Sequence, residues 1–185
     1  MRWLAISVLG LVMVACRTTP TGPYSPLAEG ARDTSAAEKL NRKAADLIES
    51  ASADAESLLR EALTKDVFYG PAHNNLGVVF MNQGKLYEAA NEFEWARKLL
   101  PDSPDPRVNL ALTMERAGRK EEAFRGYVAA LEVAPECVSA MQGAASLALD
   151  SGRGDPHLEA WLEAIALRGE SADWRDWATR KRLPH

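Results

Sequence analysis

The stretch GPAHNNLGVVFMNQGKLYEAANEFEWARKLLP (residues 70–101) decides the fold, because the chain repeats it. Set above PDPRVNLALTMERAGRKEEAFRGYVAALEVAP (residues 104–135), Leu76 falls on Leu110, Gly77 on Ala111, Phe80 on Met114 and Gly84 on Gly118. Ala89 falls on Ala123, Phe93 on Tyr127, Ala96 on Ala130 and Pro101 on Pro135, each pair 34 residues apart. A constant offset of this kind marks a stacked repeat.

The chemistry of the unit follows from its residue types. Leu76 and Phe80 share one face of a first helix, and Ala89, Phe93 and Ala96 share one face of a second, at i, i+4 and i+7. Gly77 and Ala89 are small where the two antiparallel helices press together. Gly84 stands where the first helix must end in a left-handed turn. Pro101 and Pro135 stop the second helix. Gly70-Pro71, Asp105-Pro106 and Asp155-Pro156 each place proline at the start of a helix, where a missing N–H costs nothing. Ser35 and Glu38 have the spacing of a capping box. Glu92 and Arg125 read as solvated outer-face residues.

These residues resemble the tetratricopeptide repeat, whose pattern runs tryptophan, Leu-Gly, tyrosine, then alanine, phenylalanine and a closing proline; His73 stands where tryptophan is usual. The resemblance implies an all-α, right-handed solenoid of about four helix-turn-helix repeats plus a C-terminal capping helix. The repeats fall at about 36–68, 70–103, 104–137 and 138–169, within a domain 35–185. Upstream, Ala55, Leu59 and Ala62 precede Ala89, Phe93 and Ala96 by the same period, so a second helix at about 53–65 is expected. Its partner at 35–50 fits after a one-residue shift that aligns Leu40, Ala44 and Leu47. Downstream, Gly152, Trp161 and Ala164 continue the series, while His157 and Gly169 depart from it. A last helix at 171–182, capped by Ser171 and carrying Trp174, Trp177 and Ala178, reads as the cover that a terminal repeat needs. The tryptophan pair could alternatively serve as a ligand platform.

The N-terminus has a different character. Arg2 precedes an apolar run, Leu4 to Ala15, shorter than the roughly 20 residues that span a bilayer and proportioned like the core of a secretory signal. Met13-Val14-Ala15-Cys16 resembles a bacterial lipobox, in which the cysteine sulfur takes a diacylglyceryl group and the new amine is acylated after cleavage. The resemblance makes residues 1–15 a signal peptide, Cys16 the lipidation site and 16–34 a tether rich in proline and polar residues. Arg17 after the cysteine favours the outer membrane of a two-membrane bacterium, facing the periplasm. A plain signal peptide cut after Ala15 and an uncleaved membrane anchor are the alternatives.

Lys and Arg number 22 against 26 Asp and Glu, a net charge of -4, with no basic block, so no nucleic-acid partner is expected. The three histidines, His73, His157 and His185, lack metal-ligand spacing, and Cys16 and Cys137 lie far apart. No metal and no cofactor are expected. Cys137 reads as a half-buried structural thiol and His73 as a packing residue. No nucleophile–base pair or phosphate loop is present, and the chain reads as a non-enzyme.

What remains is surface. In tetratricopeptide arrays the concave wall comes from the first helix of each pair. Carried over by register, that wall comprises Asn41, Arg42 and Glu49; Asn74, Asn75, Val78 and Asn82; Val108, Asn109, Leu112 and Arg116; and Gln142, Ser146 and Asp150. The partner-binding residues expected are Asn75, Val78, Asn82, Asn109, Leu112 and Arg116, with Asn75 and Asn109 gripping successive units of an extended peptide. Asparagine at this position can equally serve the fold itself. A two-carboxylate clamp of the chaperone-adaptor type would need cations where Gln142, Gly143 and Ser146 stand. The expected function is a lipid-anchored scaffold for a protein or peptide partner in the bacterial cell envelope, similar to pilotins. Use of the groove for a small ligand, or an envelope enzyme of unrecognised type, is the alternative.

Overall fold

The computed structural model describes residues 32–152 and 154–182; the signal segment, Cys16 and most of the tether lie outside them. Among the described residues there are nine α-helices and no strand. They run α1 (Thr34–Ala45), α2 (Ser52–Lys65), α3 (Gly70–Asn82), α4 (Leu86–Leu99), α5 (Asp105–Arg116), α6 (Lys120–Val133), α7 (Val138–Asp150), α8 (Leu158–Arg168) and α9 (Ala172–Arg182). Four antiparallel pairs, α1/α2 to α7/α8, stack in order and α9 packs on α8. The first helices α1, α3, α5 and α7 also pack on one another in a row. The second helices do not approach each other as closely, so the row bends with the first helices inside.

Small residues set the spacing within each pair. A Cβ placed on Gly77 would come 2.6 Å from the Phe93 ring, so only glycine lets α3 lie this close to α4. In the next repeat the glycine has moved across: a Cβ on Gly126 of α6 would sit 2.9 Å from the Cβ of Ala111 in α5. The turn inside the pair uses Gly84 at φ 74°, the left-handed conformation expected there. Two buried clusters form the core. One joins Ala37, Leu59, Leu76 and Phe93 of α1–α4, and the other joins Ala123, Tyr127, Trp161 and Ile165 of α5–α9. Leu112 packs against both.

Three expectations need correction. The cap of α1 is Asp33, whose carboxylate accepts from the Ala36 N–H at 2.9 Å, and Ser35 lies inside the helix. α1 ends at Ala45 rather than 50, because the chain tightens there: the Leu47 N–H reaches Ala44 O at 2.9 Å, an i→i+3 bond. That tightening absorbs the one-residue shift. Pro156 precedes α8 instead of opening it; Asp155 accepts the His157 N–H at 2.8 Å, and the helix begins at Leu158.

Ser171 caps α9 by accepting the Trp174 N–H at 3.2 Å. Trp174 and Trp177 meet edge to face, ring centroids 5.1 Å apart, over the second cluster, and Ala178 is fully buried. The apolar stripe of α9 is thus spent on covering the last repeat.

Arg32, Asp33 and Thr34, placed in the tether by composition, are held to the domain. Asp66, fully buried at the end of α2, receives Arg32 Nε at 2.8 Å and Nη2 at 3.1 Å, Thr34 Oγ1 at 2.7 Å and the Phe68 N–H at 3.0 Å. Burial pushes the Asp66 carboxyl up, but these hydrogen bonds and the Arg32 charge outweigh it and hold it below the usual carboxylate range. The sign follows: a lowered carboxyl stabilises above its unfolded value, about pH 4, and that stability is lost as pH falls through the folded value. Hydrogen-exchange protection factors followed downward from neutral pH should therefore fall in α1 before α3 and α4. Equal protection in all three helices at low pH would remove Asp66 as the clip.

Candidate functional site

The inner wall is built from the first helices, and its polar row is more ordered than residue type alone implies. Asn75 Nδ2 of α3 donates to Asn41 Oδ1 of α1 at 2.9 Å. Asn109 Nδ2 of α5 donates to Asn74 Oδ1 of α3 at 3.0 Å. Each of the two asparagines expected to hold a partner therefore hands one N–H back to the preceding repeat, tying first helix to first helix. Their carbonyl oxygens stay uncommitted among the described residues, and both side chains are half-buried. The same face continues in α7 with Gln142, two periods after Asn74. Gln142 is 3% exposed, and its Nε2 finds no hydrogen-bond partner among the described residues. Val108, at the equivalent α5 position, has no carbonyl in its side chain to offer it.

The other expected groove residues are distributed around this row. Val78 and Leu112 are half-buried and pack against the first cluster, leaving apolar edges beside the amides. Asn82 and Arg116 are exposed at the ends of α3 and α5, and Arg116 Nη1 makes a long 3.4 Å contact with Met81 O. Between them Thr113, fully buried, donates to Asn109 O at 2.8 Å. Arg42 is taken by Glu38 at 2.6 Å, and Asp150 pairs with Lys120 at 3.5 Å, so neither is an unopposed charge on the wall. Glu49 is exposed and Ser146 half-buried.

His73 is a packing residue, as expected, but a polar one. It is fully buried, with Nε2 2.8 Å from Val67 O and Nδ1 2.7 Å from Glu92 Oε2, and its ring stacks on Trp95 at 5.7 Å. A carbonyl only accepts, so Nε2 bears a proton; one further proton is shared between Nδ1 and the carboxyl oxygen. This corrects the reading of Glu92, which is 7% exposed and is an internal strut, not an outer-face residue. Arg125 is exposed, as expected. A second polar contact, part-buried, runs from Tyr127 Oη, which donates, to Glu115 Oε2 at 2.9 Å. Burial pushes the Tyr127 phenol up, and the Glu115 charge adds to it, so the hydroxyl stays a donor.

Cys137 is half-buried, with Sγ 3.4 Å from Ser139 Oγ. Among the described residues no group of three or more His, Cys, Asp or Glu is arranged to hold a metal ion. No described helix is long and apolar enough to cross a membrane.

No family model matches the chain, and no curated protein is similar to it in sequence. Solved structures are similar in fold. The chain is similar to the first tetratricopeptide-repeat module of Spaghetti (RPAP3), solved bound to an HSP90 peptide: TM-score 0.62 at 15% identity, covering 66% of this chain and 98% of that one. It is similar to PilF of Pseudomonas aeruginosa, TM-score 0.64 at 18% identity over 78% of this chain and 66% of that one. It is also similar to MamA, TM-score 0.60 at 16% identity over 79% and 80%. With the repeat pattern and the paired helices, these likenesses show an all-α tetratricopeptide-repeat solenoid.

Proposed function

We propose that the chain is a non-catalytic adaptor, lipid-anchored through Cys16 in the bacterial cell envelope, that holds an extended segment of a protein partner on its inner wall. The observation that carries the reading is the amide row, Asn41–Asn75 and Asn74–Asn109, ending at the buried, unmet amide of Gln142. An amide with one free carbonyl and one free N–H suits a peptide backbone, which offers both partners at every residue. The peptide-bound Spaghetti module supports this kind of partner, since it shares the fold. The role is pilotin-like: a tethered scaffold that helps an envelope complex assemble.

The test has two arms. A photoreactive side chain at exposed Asn82 is used to capture the partner from native membranes, and its affinity is then measured. The double change Asn75→Ala with Asn109→Ala should weaken capture about tenfold or more at a temperature where circular dichroism shows both proteins folded. Arg125→Ala, on the outer face, should leave capture unchanged. Unchanged capture by the double variant would make the asparagines structural ties alone. In the second arm Cys16→Ser should leave a precursor that retains residues 1–15 and lacks the detergent-phase partitioning of the mature form. Normal cutting with unchanged partitioning would remove the lipid anchor.

A further inference from the structure

The outer face carries a second feature, independent of the inner wall. Between α6 and α8 runs an open groove of about 750 Å³. Val128, Leu131, Met141, Trp161, Ala164 and Leu167 line it with apolar surface, and Leu167 is 72% exposed. The repeat does not require this. One period earlier, in α4, the positions of Val128, Leu131 and Glu132 are held by Glu94, Arg97 and Lys98, and Arg97 pairs with Glu94 at 2.6 Å. The equivalent outer step is therefore charged and self-satisfied, and the apolar lining belongs to the α6/α8 step. An exposed apolar strip of this kind marks an interaction surface.

The molecule also shows what covers this register elsewhere. One period after Val128 and Leu131 come Leu162 and Ile165 of α8, both buried in the cluster that α9 covers with Ala178, Trp174 and Trp177. α9 is an amphipathic helix with Arg180, Lys181 and Arg182 in its last turn, and Arg182 reaches Glu159 of α8 at 3.0 Å. The α6/α8 groove repeats that chemistry without a cover. Glu132 and Glu163 stand on its rim, both exposed, and neither has an ion-pair or hydrogen-bond partner among the described residues. Arg168 closes one end by its 2.5 Å contact with Glu136, and His157 stacked on Trp161 lies at the other.

We propose that this groove is a second docking site, which takes an amphipathic helix of a partner protein: an aliphatic or aromatic stripe on the floor, and lysines or arginines against Glu132 and Glu163. A helix fits where an extended chain does not. Both walls are helices whose backbone groups are spent internally, so an extended peptide would leave its own N–H and C=O groups unmet over apolar surface. A helix satisfies its own backbone and needs only the groove. The site stands whether or not the inner wall binds a peptide, and with both sites the chain would join two partners.

The probe is a fluorescein-labelled synthetic helix of about four turns, with leucine and tryptophan on one face and three arginines at its end. Its binding to the full chain in detergent is read by anisotropy. Placing proline mid-helix, or exchanging the arginines for glutamates, should each weaken binding about tenfold or more. Leu167→Glu should weaken the arginine peptide by a similar factor, about tenfold, without lowering the melt, because Leu167 is exposed. Tyr87→Glu, at an exposed aromatic on α4, should leave binding unchanged. Glu132→Lys with Glu163→Lys should transfer the preference to the glutamate peptide. Equal binding of the proline and unbroken peptides, or no effect of Leu167→Glu, would overturn the site. In cells, a photoreactive residue at position 167 should crosslink to a basic-ended amphipathic helix of another protein. Crosslinks to α9 of a second copy, to residues 1–31 of this chain or to a lipid would overturn the assignment.

Discussion

Ala89→Arg is expected to destabilise the domain by about 3 kcal/mol or more, through overpacking and burial of an unpaired charge. Ala89 is fully buried on the face of α4 that also carries Phe93 and Ala96, within the first cluster. Its neighbour α3 is already at the closest approach, since even a methyl on Gly77 would strike the Phe93 ring. An arginine there must part the two helices or bury its guanidinium among Leu59, Leu76 and Phe93. Thermal unfolding followed by circular dichroism should show a fall in Tm of roughly 10 °C. Because each repeat leans only on its neighbours, hydrogen exchange should lose protection in α3 and α4 before α7 and α8. Asn91→Arg, two residues on and exposed, should melt with the wild type. If Ala89→Arg also does, the register that puts Ala89 inside is wrong.

Glu92→Ala should cost about as much, roughly 3 kcal/mol, for a different reason. The substitution takes the Glu92 carboxyl away from Nδ1 of a fully buried histidine ring, while Nε2 remains committed to Val67 O. Glu92→Gln keeps a polar atom facing Nδ1 and should cost about 1 kcal/mol. His73→Phe alone takes the imidazole away from the carboxyl group of Glu92, which is itself almost wholly buried. The double change His73→Phe with Glu92→Ala removes both polar groups, so its cost should fall short of the sum of the two single changes by about 1–3 kcal/mol. Urea titration of the four proteins measures that coupling. An additive cycle would mean that the contact contributes nothing and that His73 acts by volume alone.

The inner and outer surfaces differed in how readable they were. The amides on the first helices were legible, because the period places Asn75 and Asn109 alike in α3 and α5. Their engagement was not. Asn75 meets Asn41 at one period, whereas Asn109 meets Asn74 one residue beyond a period, so the offset alone could not say which amide would find which. The α6/α8 groove was missed altogether. The available signal was the change from Glu94 and Arg97 to Val128 and Leu131 at a fixed position in the repeat. Against the apolar background of a helix pair, those two residues do not stand out.

By itself the sequence determined the repeat, its length, its small contact residues and its breaks. Apolar periodicity says which face of a helix leaves water, and Gly84 and Pro101 act on the backbone locally, so each is decided within one unit. Tertiary structure decided the fate of the polar groups. Glu92 looked solvated because a carboxylate on a helix usually is; it is buried because the His73 ring, held on its other side by the Val67 carbonyl, arrives from the preceding helix to meet it. Asp66 is buried because Arg32 and Thr34 fold back from the far end of the first repeat. A polar side chain leaves water without a large cost only where a complementary group awaits it. That group comes from an element distant in the chain, so its position is known only once the helices have packed.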